Sequence, residues 1–192
     1  LSVYVHVPFC ESVCYYCACN KVVTRHHERA AEYLDVLERE ITLHTQALGV
    51  RQRVTQLHFG GGTPTFLSDA ELSRLMAAIG QAFDMAPDAE CSIEVDPRTA
   101  TPERLQHLAA LGFNRLSMGI QDFDPRVQKA VNRVQPEEIT RRVIEQARAV
   151  GFASISVDLI YGLPYQTEAS FAATIEKVLA LDPDRVAVFN FA

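Results

Sequence analysis

Short runs of β-forming residues alternate with longer stretches of helical periodicity from one end of the chain to the other. This rhythm restricts the possible folds more than any other feature of the sequence. Residues 1–6 ("LSVYVH") and 56–59 ("QLHF") are brief, bounded and rich in β-formers, so they read as strands. Between them, residues 28–48 bring Ala31, Leu34, Leu37, Ile41, Leu43 and Leu48 near helical spacing and stop at Gly49, as a helix terminus should. The unit then recurs. A helix is predicted over 68–83, opened by a capping box of Ser68 and Glu71, and a strand over 91–95. Thr101 and Pro102 open a helix that runs to 111, ahead of a strand over 115–118. Helices over 136–150 and 167–181, with strands over 154–160 and 185–191, complete six strands alternating with helices.

Such alternation implies a parallel sheet, either open and doubly wound or curled into a full or partial barrel. The placing of unusual residues separates the two. "HVPFC", "GGGTP", "EVDP", "MGIQDF", "DLIYGLP" and "NFA" each fall just after a predicted strand. An open sheet gathers its ligand at one switch point, whereas every strand of a barrel delivers its carboxyl end to one mouth. The expected fold is therefore α/β, a partial TIM-like (βα)6 barrel with parallel strands, truncated after the sixth strand. One domain over residues 1–192 suits a chain of this length with 48% hydrophobic residues. Residue 1 is Leu and opens directly on a strand, and Ala192 closes another, so the sequence reads as a fragment of a longer protein.

The net charge of -6 comes from interspersed signs with no basic run, which argues against nucleic acid as a partner. No stretch is apolar over the length of a bilayer span, and the start lacks the pattern of a signal peptide. The expected compartment is the cytoplasm, with no membrane partner. Against that background, "FCESVCYYCACN" (residues 9–20) holds four of the five cysteines. In a reducing compartment a tight cluster within an odd total reads as metal binding or catalysis before disulfides. The spacing Cys10-x3-Cys14-x2-Cys17-x-Cys19 lacks the second, separated pair with which zinc knuckles usually close a tetrahedron. Cys91 lies far off in a predicted strand and reads as a small buried hydrophobe. Thiolates on a short loop also hold cubic iron–sulfur clusters. If Cys10, Cys14 and Cys17 bind three irons of such a cluster, one iron stays open to another ligand.

"GGGTP" (residues 60–64) sets three glycines where backbone must approach a partner closely, although a strand-to-helix turn by itself requires at least one. Glu94 and Asp96 in "IEVDP" alternate and so share one side of a regular strand, where they can accept from ribose hydroxyls or simply be solvated. Asp158 sits amid Ile155, Val157, Leu159 and Ile160. An unpaired carboxylate there would be costly, so a cation or hydroxyl is expected beside it. Gln121 and Asp122 in "MGIQDF" and Arg133 in "VNR" are further candidates. His6 and His58 lack a second ligand at metal spacing and read as packed or polar-lining, while His26 and His27 read as solvated.

The C-x3-C-x2-C spacing after the first strand resembles the radical S-adenosylmethionine (SAM) enzymes, in which the methionine part of SAM chelates the open iron of a 4Fe-4S cluster. There the cofactor carries the hard chemistry and the protein positions it. More narrowly, "YVHVPFC", "CYYCACNK", "LHFGGGTPT", "SIEVDPR", "GFNRLSMGIQDFD", "VNR" and "DLIYGLPYQT" resemble the oxygen-independent coproporphyrinogen III oxidase (dehydrogenase) family of heme biosynthesis, over essentially the whole chain. The resemblance implies oxidative decarboxylation of two propionate side chains of coproporphyrinogen III to vinyl groups, giving protoporphyrinogen IX. A 5'-deoxyadenosyl radical would remove one propionate hydrogen each time. It further implies Cys10, Cys14 and Cys17 as cluster ligands, and two SAM molecules. The first would meet Tyr4, Gly61 and Glu94; the second would meet Tyr16, Gly62, Thr63, Gln121, Arg133, Asp158 and Ala192. Tyr16 departs from the Phe that the resemblance suggests. Heme-binding, chaperone-like relatives carry an aromatic residue where this chain has Cys19, so Cys19 favours the oxidase. Heme-modifying, methyltransferase-like relatives share much of the frame and, with the chaperones, form the alternative. The partners implied are coproporphyrinogen III and a small electron-donor protein, for a monomer.

Overall fold

The computed structural model describes residues 1–191, so Ala192, assigned above to the second SAM, lies outside the described residues. In chain order its elements are β1 (Ser2–Val7), the two-residue strands β2 (Phe9–Cys10) and β3 (Val22–Val23), α1 (Arg29–Leu48), β4 (Arg53–Gly61), α2 (Asp69–Ala82), β5 (Asp84–Glu94), α3 (Pro102–Ala110), β6 (Arg115–Gln121), α4 (Pro125–Ala130), α5 (Glu137–Ala149), β7 (Ser154–Tyr161), α6 (Glu168–Ala180) and β8 (Arg185–Asn190). Six strands pair in the order β1-β4-β5-β6-β7-β8, all parallel, while β2 and β3 form a small separate ladder. Each large strand neighbours only its predecessor and successor along the chain. The order never reverses, as it must in a doubly wound sheet, so the sheet is the arc of a partial TIM-like (βα)6 barrel with β1 and β8 as its edges.

Purely parallel sheets usually hide both faces and read as continuous apolar runs. This one alternates. Val5 and Val7 in β1, Leu57 and Phe59 in β4, Ile93 in β5, Leu116 in β6 and Ile155, Val157 and Leu159 in β7 are buried in one core. Leu34 of α1, Leu72, Leu75 and Ile79 of α2, Leu105 and Leu108 of α3, Val143 and Ile144 of α5 and Val178 of α6 belong to the same core, so the helices cover that face. The opposite face carries small and polar residues in register: Tyr4 beside His58, His58 beside Ser92, Glu94 beside Ser117, Ser117 beside Ser156, and Gly119 beside Asp158. Alternation at period two thus separates a packed outer face from a hollow inner one.

The helix ends follow their local signals. The N–H of Gly49, at φ 73, donates to the Thr45 carbonyl and closes α1; the capping box of Ser68 and Glu71 opens α2; Thr101 and Thr167 cap α3 and α6. Two features exceed the sequence expectation. β5 begins at Asp84, well before residue 91, and α4 is an additional short helix capped by Asp124 with Pro125 in its first turn. Among the described residues no helix is long and apolar enough to cross a membrane.

Candidate active site

A cavity of about 540 Å³ occupies the polar face at the carboxyl ends of the strands. Cys10, Cys14, Cys17 and Cys19 all line it, and none is in a disulfide. The loop that carries them is clasped from several sides. Val22 N–H donates to the Pro8 carbonyl (2.8 Å), Lys21 Nζ to the Cys17 carbonyl (2.6 Å), and His6 Nε2 bonds the Asn20 carbonyl (2.8 Å). Residues 131–133, just after α4, hold the far side: Tyr15 N–H donates to the Val131 carbonyl (3.0 Å), and the Asn132 amide donates to the Val13 carbonyl (2.7 Å). Arg133 Nη1 lies 3.7 Å from Cys14 Sγ. Asn132 sits at φ 56, a left-handed conformation that Asn tolerates better than most residues.

The glycine loop lies directly against the cysteine loop. Gly62 N–H donates to the Val7 carbonyl (2.8 Å) and Thr63 N–H to the Phe9 carbonyl (2.7 Å), with Thr63 Oγ1 3.7 Å from Cys10 Sγ. A Cβ on Gly62 would stand 2.6 Å from the Phe9 carbonyl oxygen, which forbids any side chain there. Gly61, at φ 113, rests on the His6 ring.

Burial pushes the Cys10 thiol up, and the neighbouring Cys17 and Cys14 sulfurs add to the rise. Cys19 is pushed up to about 11, by burial first and then by Cys17. Thiolates gathered this closely disfavour one another's charge, and a bound cation relieves that repulsion.

Glu94 Oε2 accepts from Gly61 N–H (3.2 Å), and Oε1 is 3.4 Å from His58 Nε2, whose Nδ1 bonds the Ser92 hydroxyl. His58 does not line the cavity itself; it stands behind Glu94, bonded to polar side chains, as a packed or polar-lining histidine would be. Asp158 also faces the cavity, but the cation or hydroxyl expected beside it is not bonded to it. Its surroundings are burial first, then Glu94, opposed by the charges of Arg133 and His58, and together they push its carboxyl up to about 6. Asp96 differs from Glu94 in being committed. Burial alone would raise it, yet bonds from Arg98 (Nη2 to Oδ2, 2.6 Å) and the charge of Arg133 hold it below the usual carboxylate range.

At the end of β6 the ladder to β7 shifts register between Gly119 and Gln121, and Gln121 takes φ 67. Its Oε1 and the Nε of Arg133 are buried with no hydrogen-bond partner among the described residues. Buried polar atoms are seldom left unmatched in folded proteins, and of those unmatched among the described residues these two belong to residues that line the cavity, which makes it a place for a polar ligand. Arg133 Nη2 donates to the Gly119 carbonyl (3.0 Å). Tyr16 packs on the small cluster of Val127, Val131, Ile160 and Leu163, and burial raises its hydroxyl.

Every described residue expected from the sequence to hold cluster or SAM lines this cavity, except Tyr4. Tyr4 stands outside the lining, exposed, stacked on His58 (centroids 5.6 Å apart) and bonded through its hydroxyl to His6 Nδ1 (3.1 Å). His27 is exposed, as expected, while its ring stacks on Phe66 with centroids 4.2 Å apart. Lys21, Arg98 and Asn132 were not singled out. An Arg two residues after Asp in "DPR" and the Asn preceding Arg in "VNR" were the available signals.

The sequence profile of the Radical SAM superfamily matches residues 4–178. The chain is 54% identical over 192 residues to the oxygen-independent coproporphyrinogen III oxidase of Escherichia coli, and 53% identical over 194 residues to that of Pseudomonas aeruginosa. Each alignment covers 100% of this chain and 42% of the relative, so the chain spans about two fifths of their length. The solved structure of the Escherichia coli coproporphyrinogen III oxidase, described as a radical SAM enzyme, superposes with TM-score 0.95 at 53% identity, covering 100% of this chain and 44% of that one. Methylornithine synthase (TM-score 0.62, 15% identity, 100% of this chain and 54% of that one) shares the fold.

Proposed function

The chain belongs to the radical SAM superfamily, and from that premise we propose that it is the core domain of an oxygen-independent coproporphyrinogen III oxidase. The observation that carries the reading is the convergence of three free thiols on one clasped loop with unmatched polar atoms of Gln121 and Arg133 around one cavity. The donor set suits a 4Fe-4S cluster: Cys10, Cys14 and Cys17 are half-buried, unbridged and line one cavity from one loop. When bound, the cluster and SAM supply one-electron cleavage of a sulfonium bond and a carbon radical that takes hydrogen from a propionate side chain.

The residues of this chain do the holding. Gly61, Gly62 and Thr63 line the cavity, and the missing side chains of the two glycines let their backbone close on the His6 ring and the Phe9 carbonyl. Glu94, steadied by Gly61 N–H and His58, and Asp158, with no donor bonded to it among the described residues, would accept from ribose hydroxyls of two SAM molecules. Arg133 offers its guanidinium to a carboxylate, Gln121 its amide oxygen to a donor, and Tyr16 its ring face. Tyr4 would meet the first SAM from the rim, and Ala192 completes the set for the second. Coproporphyrinogen III as substrate, a small electron-donor protein, a monomeric state and the cytoplasm belong to the same proposal.

The test is anaerobic reconstitution of the full-length protein with iron and sulfide, then dithionite, SAM and coproporphyrinogen III. Release of carbon dioxide together with 5'-deoxyadenosine is the expected result, abolished by Cys14→Ser. 5'-Deoxyadenosine without carbon dioxide would defeat the substrate assignment, and stoichiometric zinc without sulfide would defeat the cofactor.

A further inference from the structure

Gln135 has no exposed surface and does not itself line the cavity, and its polar groups, apart from an Oε1 with no partner among the described residues, are spent on one small region. Its N–H donates to Gln128 Oε1 (2.9 Å), its carbonyl accepts from Gln128 Nε2 (2.7 Å), and its own Nε2 donates to Thr140 Oγ1 (3.0 Å) and to the Gly119 carbonyl (3.2 Å). An apolar side chain could fill this place without the desolvation an amide suffers, so the amide calls for a reason. Gly119 supplies one. Its carbonyl lies where β6 leaves register with β7, and it accepts on both sides, from Gln135 Nε2 and from Arg133 Nη2 (3.0 Å).

Arg133 has little else to fix its direction. Its Nη1 stands 3.7 Å from both Cys14 Sγ and Asp96 Oδ2, and its Nε has no partner among the described residues. Among the described residues the bond to Gly119 is thus the one short contact that aims the guanidinium. We propose that Gln135 is a positioning residue, which holds the Gly119 carbonyl and thereby sets the direction in which Arg133 meets a carboxylate-bearing ligand. That the ligand is SAM rests on the functional reading above.

The experiment measures equilibrium uptake of radiolabelled SAM by the full-length, anaerobically reconstituted protein. Gln135→Met should weaken uptake at one of two sites by roughly tenfold, the size of one lost hydrogen bond to a charged group. Arg133→Met should weaken the same site, and the double variant should be no weaker than Arg133→Met alone, because the two act as one unit. Thr140→Val removes the other partner of the amide and should stay within about twofold of wild type. If Gln135→Met does not fold, Gln135→Glu keeps the length and replaces the donor by an oxygen, and it should show the same loss. Unchanged uptake in the Gln135 variants, or losses that add fully in the double variant, would overturn the proposal alone. Wild type that takes up no SAM would overturn the functional reading and this inference with it.

Discussion

At the scale of single residues, Asp158 links the site to stability. Its carboxyl rises from 3.8 to about 6 because burial, then Glu94, disfavours the charge. A carboxyl that protonates more readily folded than unfolded favours the fold while protonated. That advantage is complete below about pH 4 and gone once pH has climbed through about 6, so the ionised group costs about 3 kcal/mol at neutral pH. Asp158→Asn should therefore melt higher than wild type at pH 8 and converge with it near pH 4, while binding SAM less well. Equal melting at pH 8 would show that burial is not the cause. The sequence announced this residue because a lone acid among Ile155, Val157 and Leu159 breaks an apolar pattern. It could not distinguish Glu94, held only by Gly61 N–H and His58, from Asp96, paired with an arginine, since that depends on the turn that brings Arg98 back onto Asp96.

At the scale of elements, the bulge of β6 is the feature most specific to the site. A methyl on Gly119 would collide with Gln121 Nε2 and stand 3.5 Å from Arg133 Nη2. Gly119→Ala should consequently lose most SAM uptake for a stability loss of no more than about 2 kcal/mol, because one displaced amide relaxes toward the cavity. Labelled-SAM dialysis beside a thermal melt separates the two effects, and undiminished uptake would mean that the bulge tolerates a side chain. Helices and strands were legible because caps and periodicity are local: Ser68 with Glu71, Thr101 with Pro102 and Gly49 each sit where the structure starts or stops a helix. The start of β5 was not. "DMAPDA" offers poor β-formers, and it becomes strand only because Arg53 and Val54 pair with Asp84 and Met85. The bulge was hidden for the same reason, since register between β6 and β7 is a property of two strands and not of either one.

At the scale of the whole molecule, stability is graded across the sheet. β4 and β5 lie inside it, with Val54, Leu57, Phe59 and Ile93 sealed in the core, whereas β8 is an edge with Val186, Val188 and Phe189 exposed. Hydrogen exchange on the 192-residue chain should find the amides of β4 and β5 the slowest and those of β8 among the fastest. Uniform protection across the six strands would contradict the gradient. The barrel architecture itself was readable from where the unusual residues fell. The inner face was harder to foresee, because only register shows that Ser92, Ser117 and Ser156 leave a hollow.

The clasp on the cysteine loop closes late in another sense. Val13 and Cys14 are held by Asn132 and Arg133, partners 119 positions further along the chain. During synthesis the thiols therefore leave the ribosome long before their cover exists. Until the stretch after α4 emerges, the nascent loop is open on that side to whatever delivers or attacks sulfur-bound metal.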